Sequence, residues 1–264
     1  MQEQIEFIVS NAKGKPENIV HEDNYCPFCD VKSLTNIFKH EDDRIWLMNK
    51  FRVLADSMQT VLIESSDHNG DWSNYSSKNG EEIMEFALRC FDEMIKDPKY
   101  KSVVMYKNYG PHSGGSLLHP HMQIIGLDNV DAYAHIHGNN FVGHDYLKIG
   151  NAELNISTEP ILSFLEFNVR IKDISDAKSM SDSVRMLTNY ILHKFFNGKF
   201  DSYNLFFYHV NNEIICKMIP RTSTSPIVMG YKMPQVDNLE QIQKIEKEII
   251  DFNAGFNLGV NSGN

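Results

Sequence analysis

Two periods of apolar residues divide the chain. Thr60–Glu64 (TVLIE), Ser102–Tyr106 (SVVMY) and Tyr203–Val210 are short apolar or aromatic runs between polar segments, and they predict buried strands. Arg44–Met48, Phe51–Leu54, Leu118–Gly126, Glu166–Ile171, Glu213–Ile219 and Ile227–Lys232 read as further strands. Helical spacing takes over in residues 79–96, with Ile83, Ala87, Phe91, Met94 and Ile95, and in residues 179–196, with Val184, Leu187, Ile191 and Phe195. A last helix begins after Asn238, with Gln241 completing a capping box and Leu239, Ile242, Ile245, Ile249 and Phe252 as its apolar stripe. Strand, helix, strand, strand occurs twice. That order predicts an α+β fold of two tandem halves, residues 1–128 and 129–264, each an antiparallel sheet with packed helices. Residues 1–25 and the tail GVNSGN are polar or glycine-containing and are expected to be irregular.

Composition narrows the possible functions. The 264 residues carry 35 Asp and Glu against 25 Lys and Arg, a formal net charge of −10. Such a surface repels a polyanionic backbone, so nucleic acid is not the expected partner, whereas one small phosphorylated ligand held by local donors is compatible. No apolar run approaches the roughly 20 residues of a membrane span. The first twenty residues lack a basic start and an uninterrupted apolar core, so neither a membrane anchor nor a secretory leader is expected, and the expected location is the cytoplasm. Four cysteines are too few for a disulfide scaffold of this length. Cys26 and Cys29 form a CxxC pair, open to a metal-binding, reduced or redox reading. Cys90 and Cys216 lie in apolar patterns that suit small buried hydrophobes.

The segment richest in chemistry runs from Asn108 to Ile125 (NYGPHSGGSLLHPHMQII). On a strand, His119, His121 and Gln123 would project to one face. Gly114 and Gly115 let backbone N–H groups converge on an anion, and Ser116 adds a hydroxyl. A neutral imidazole is a competent nucleophile near neutral pH. By itself, such a His-x-His pair serves structural roles as readily as catalytic ones.

The ordered set Cys26-Pro27-Phe28-Cys29, Ser66-Asp67-His68, Asn108 with Gly110, Gly115-Ser116 and His119-Pro120-His121-Met122-Gln123 resembles the galactose-1-phosphate uridylyltransferase branch of the histidine-triad (HIT) superfamily. The resemblance spans residues 24–127 and is faint beyond residue 150. It implies a HIT-like fold whose first half is catalytic and whose second half is degenerate. It also implies nucleotidyl transfer or phosphorolysis on a nucleoside diphosphate sugar or a dinucleoside polyphosphate. His121 would carry the nucleotidyl group covalently and Gln123 would hold a phosphoryl oxygen, with Asn108, Gly115 and Ser116 binding phosphate. Cys26, Cys29, His68 and His119 would form one structural Zn²⁺ site. A homodimer is implied as well. Alternatives are a HIT-type nucleotide hydrolase or a zinc-stabilised nucleotide-binding protein without significant catalysis.

Two departures bear on specificity. Hexose-using members of that branch carry a His-x-His in the second half, within a second metal site, but the nearest stretch here, Ile214–Pro220, has no histidine. Their Val-Gly-Tyr-Glu segment becomes Met229-Gly230-Tyr231-Lys232, and an ammonium cannot accept hydrogen bonds from sugar hydroxyls. Hexose specificity is therefore not carried over. His135 and His137 read as loop residues, His112 as a loop histidine near the phosphate segment, and Trp46 and Trp72 as packing anchors.

Overall fold

The computed structural model describes residues 4–15 and 25–260, with side chains as far as residue 256. The expectations for residues 16–24 and 261–264 lie outside the described residues. Ten strands, β1 (Ile37–Glu41), β2 (Arg44–Met48), β3 (Ser57–Ile63), β4 (Ser102–Tyr109), β5 (His121–Leu127), β6 (Asp145–Ile149), β7 (Ala152–Ile156), β8 (Phe167–Ile171), β9 (Ser202–Val210) and β10 (Glu213–Arg221), form one antiparallel sheet. Their order is β1-β2-β3-β5-β4-β9-β10-β8-β7-β6. From edge to centre, each half follows its own first, second, third, fifth and fourth strand. The doubled pattern in the sequence is thus a doubled topology, and the two antiparallel sheets join edge to edge through β4 and β9.

Helices α1 (Ser77–Ile95) and α2 (Ala177–His193) lie side by side on one face of the sheet, and α4 (Leu239–Val260) packs on α2 and β6. The stripes explain the packing: Ile83, Ala87, Cys90 and Phe91 of α1 and Val184, Leu187 and Ile191 of α2 are fully buried. Ile95, read as part of the α1 stripe, is exposed, as is Leu239 of α4. Gly80 lets the two helices approach, because a β-carbon there would lie 2.7 Å from Ser181 Oγ. Asn238 caps α4 by accepting the Gln241 N–H at 2.9 Å; its own N–H goes to Asp237, so the box is only half formed.

Three strands had no clear signal. The edge strands β1 (IFKHE) and β6 (DYLKI) break strict alternation with charges, as exposed edges tend to. The third is β7 beside β6.

Two expected strands do not form. At residues 51–54 side chains take over the backbone: Asn49 Oδ1 accepts the Phe51 N–H and Gln59 Oε1 accepts the Val53 N–H. Only an isolated bridge between Phe7 and Leu54 remains. Residues 226–231 instead make a short helix, α3 (Pro226–Tyr231). Ser225 caps it, Pro226 fits its first turn, and Lys232 ends it in the left-handed conformation at φ 50°.

Strand β5 starts at His121, later than the expected Leu118, because Pro120 has no N–H to give a ladder. His121 and Gln123 share one face of β5, while His119 precedes the strand and is oriented by its own partners.

Candidate active site

The face of the first half turned away from the helices carries a small apolar cluster, Ile45, Leu47, Val61 and Ile63, against which Phe28 and Leu34 pack. Beside it opens a cavity of about 310 Å³. His121 and Gln123 line it from β5, and Gly114, Gly115 and Ser116 line it from the glycine-rich loop. His121, Gln123, Gly115 and Ser116 are four of the five residues expected at the catalytic and phosphate positions. The fifth, Asn108, lies half-buried at the end of β4 outside the lining, where its Oδ1 accepts from Asn204 Nδ2 at 2.7 Å.

The His121 ring is buried, and its Nδ1 lies 2.8 Å from the His119 carbonyl. A carbonyl only accepts, so Nδ1 carries the proton and Nε2 carries the lone pair. Burial pushes the imidazole down to about 4, against the opposing pull of that carbonyl. The ring is therefore neutral at pH 7, the protonation state a nucleophile requires.

His119 turns away into a cluster with Cys26, Cys29 and His68, whose ligand atoms all lie within 4.8 Å of one another. Cys29 Sγ lies 3.3 Å from His68 Nδ1 and 3.4 Å from His119 Nδ1. Tetrahedral zinc, with bonds of about 2.3 Å to sulfur and 2.0 Å to nitrogen, separates such ligands by about 3.5 Å, so the donor set fits this ion. His119 Nε2 lies 2.9 Å from the Ser65 carbonyl, which fixes the tautomer and leaves Nδ1 free to ligate. The CxxC turn also links the two centres: Phe28 meets the His119 ring at 5.8 Å and the His121 ring at 5.3 Å between centroids.

Several contributors had no sequence signal. Asn49, Lys50 and Phe51 line the cavity from the segment after β2, and Lys15 lines it from the N-terminal segment. Lys15 and Lys50 are exposed and bring positive charge to the mouth. Behind β5, on the helix face, Lys107 Nζ donates to Glu64 Oε1 at 2.7 Å and Tyr75 Oη donates to Glu64 Oε2 at 3.0 Å, all three buried. Glu64 also donates its backbone N–H to the Pro120 carbonyl at 3.1 Å, which ties this network to the His-Pro-His segment.

His135, His137, Cys90 and Cys216 belong neither to the cluster nor to the cavity lining. His135 and His137 lie in the loop before β6, where the His137 N–H is held by Asn140 Oδ1. Cys90 and Cys216 are fully buried. In the second half, the stretch Ile214–Pro220 presents Lys217. Its buried ammonium meets Glu166 Oε2 at 2.8 Å, the Asn140 carbonyl at 2.8 Å and Ser157 Oγ at 2.7 Å. Lys232 is exposed.

The doubled sheet, the two helices on one face and the His-Pro-His-x-Gln segment entering β5 make a HIT-like fold. Residues 7–130 match the N-terminal domain, and residues 133–250 the C-terminal domain, of the domain of unknown function DUF4931. The chain belongs to that family. The crystal structure of a DUF4931 family protein from Bacillus cereus ATCC 10987 is 39% identical, with a TM-score of 0.73 over 82% of this chain and 98% of that one. The fold is shared more distantly with an ADP-glucose phosphorylase from Arabidopsis thaliana bound to ADP-glucose, at 13% identity and a TM-score of 0.69 over 85% of this chain and 89% of that one. A uridylyltransferase is also similar, at 13% identity and a TM-score of 0.67 over 87% and 92%. No curated protein matches the chain. Among the described residues, no helix is long and apolar enough to cross a membrane.

Proposed function

We propose that the chain is a nucleotidyltransferase or phosphorylase of the galactose-1-phosphate uridylyltransferase type, acting on a nucleoside diphosphate sugar or a dinucleoside polyphosphate. His121 Nε2 attacks the α-phosphorus. The bond from that phosphorus to the bridging oxygen breaks, and the sugar phosphate or nucleotide leaves with that oxygen. A phosphorylated acceptor or inorganic phosphate then attacks the nucleotidyl-histidine and restores the imidazole. Gln123 donates its amide to a non-bridging oxygen and stabilises charge without moving a proton. The backbone amides around Gly115, the Ser116 hydroxyl and the Asn108 amide bind the remaining phosphate oxygens.

One observation carries this reading. The neutral His121 imidazole, its Nδ1 2.8 Å from a carbonyl, shares a strand face and one cavity with Gln123 and the glycine-rich loop. The activities named for the two distant structural relatives support the substrate class.

Cys26, Cys29, His68 and His119 hold a structural Zn²⁺ in this reading, which pins the CxxC turn and Phe28 against the His121 ring. Residues 1–128 form the catalytic half. Residues 129–264 form the half that has lost its own chemistry, with Lys217 as a buried cation on the corresponding sheet. The exposed apolar side chains of Met229, Tyr231 and Met233 support a homodimer. The setting is cytoplasmic, where the ligand thiols stay reduced.

The test is to incubate the zinc-loaded protein with labelled nucleoside diphosphate sugars and dinucleoside polyphosphates, then locate the label. The expected result is acid-labile label on His121, absent in His121→Asn and discharged by a phosphorylated acceptor. Tight nucleotide binding with no adduct from any donor would refute the covalent mechanism. Discharge by water alone would make the protein a hydrolase.

A further inference from the structure

The second half supplies an anchor of the glycine-rich loop. Asn204 lies directly opposite Asn108 in the β4–β9 ladder, and it is buried. Its single NH₂ group donates twice, to Asn108 Oδ1 at 2.7 Å and to the Ser113 carbonyl at 3.0 Å. The first bond fixes which way the Asn108 carboxamide points. Its oxygen is occupied by Asn204, so its NH₂ is left to donate, and among the described residues no protein acceptor takes it. The second bond holds the arc of the loop two residues before Gly115.

Neighbouring contacts repeat the pattern. Ser202 Oγ accepts the His112 N–H at 3.0 Å, and Asp201 Oδ1 lies 2.8 Å from His112 Nδ1. Gly110, at φ +83°, sits so close that a β-carbon would lie 2.4 Å from the Asp201 carbonyl oxygen and 2.5 Å from Ser202 Oγ.

We propose that Asn204 is a positioning residue: it presents the Asn108 NH₂ as a phosphate donor and sets the loop that carries Gly115 and Ser116. The second half is then retained as the template of the first half's anion site. This deepens, and rests on, the reading of that loop as a phosphate site.

The test separates phosphate recognition from folding by comparing uridine with UDP, and adenosine with ADP, on the zinc-loaded full chain. The wild-type protein is expected to bind the better diphosphate at least about tenfold more tightly than its nucleoside, the scale of one hydrogen bond to a charged group. Asn204→Asp keeps the shape but offers only acceptors, so the Asn108 amide must turn its NH₂ inward. The diphosphate-to-nucleoside ratio should then fall by about tenfold while nucleoside affinity is retained. Asp201→Ala, on an exposed residue, should lower the same ratio more modestly and serves if Asn204→Asp does not fold. An unchanged ratio in the folded variants overturns the proposal, as does an equal loss of nucleoside and diphosphate affinity. A wild-type protein with no phosphate preference overturns the phosphate-site reading itself, an outcome visible before any variant is made.

Discussion

His119 Nε2 lies 2.9 Å from the carbonyl oxygen of Ser65. A carbonyl can only accept, so this contact assigns the proton to Nε2 and turns the lone pair of Nδ1 toward Cys29. The contact is the outer support of a cluster that could hold a metal, and it joins the end of β3 to the segment that delivers His121. Metal removal should therefore act on both folding and chemistry. Chelation is expected to release one zinc per chain, lower the thermal midpoint, and slow nucleotidylation of His121 as Phe28 loses its place against the ring. Cys29→Ser should reproduce all three effects. Metal analysis, a melting curve and adduct kinetics check them, and freshly purified protein without zinc would refute the site.

His121 and Gln123 share a strand face, and the proposed mechanism gives them different tasks that substitution should separate. His121→Asn is expected to abolish the adduct and leave nucleotide binding measurable. Gln123→Ala removes one donor to developing charge, worth about 10²–10³ in rate where such donors have been deleted from other enzymes. Gln123 is half-buried, so its loss should leave the melting midpoint close to the wild-type value. Rapid-quench trapping of the adduct reads the first effect and calorimetry the second.

Gly110 lies close against Asp201 and Ser202 of the second half. Gly110→Ala forces a β-carbon against the Asp201 carbonyl oxygen, at a φ of +83° that L-residues avoid. The expected cost is about 1–3 kcal/mol of stability. A displaced loop should also weaken diphosphate binding. Urea unfolding and diphosphate titration together check this, and wild-type behaviour in both would show that the loop tolerates the shift.

These effects differ in how far the sequence announces them. The four metal-cluster residues and the residues Gly115, Ser116, His121 and Gln123 sit in compact motifs, and their grouping in space follows the grouping in sequence. The doubled topology was also legible, because buried strands and amphipathic helices carry their own periods. What stayed hidden depends on contacts made at long range. Asn204 reads as one polar residue in a core strand, and only the β4–β9 register reveals that it faces Asn108. Asn49 and Gln59 give no sign that their amides will replace a ladder at residues 51–54. Ile227–Lys232 looks like a strand by its apolar residues, but a Ser-Pro start and a left-handed Lys232 make it a helix. The period-two rule placed His119 with His121, and Pro120 removed it from the strand.

Lys217 and Glu166 give the second half its sharpest stability test. Burial pushes the Lys217 ammonium down from its ordinary pKa, while Glu166 at 2.8 Å opposes that shift. Glu166 also accepts the backbone N–H groups of Ile161, Leu162 and Ser163 at 2.9, 2.6 and 2.9 Å. Lys217→Met alone strands a buried carboxylate and should cost about 3–5 kcal/mol. Adding Glu166→Gln removes the charge and keeps one oxygen to accept the Leu162 and Ser163 N–H groups, though its NH₂ cannot accept from Ile161, so the double variant should recover part of that loss. Glu166→Leu with Lys217→Met should recover less, because the amides of the 161–163 turn then lose their partner. Urea denaturation of the three variants decides the point: equal stability for both double variants would mean that the turn does not depend on Glu166.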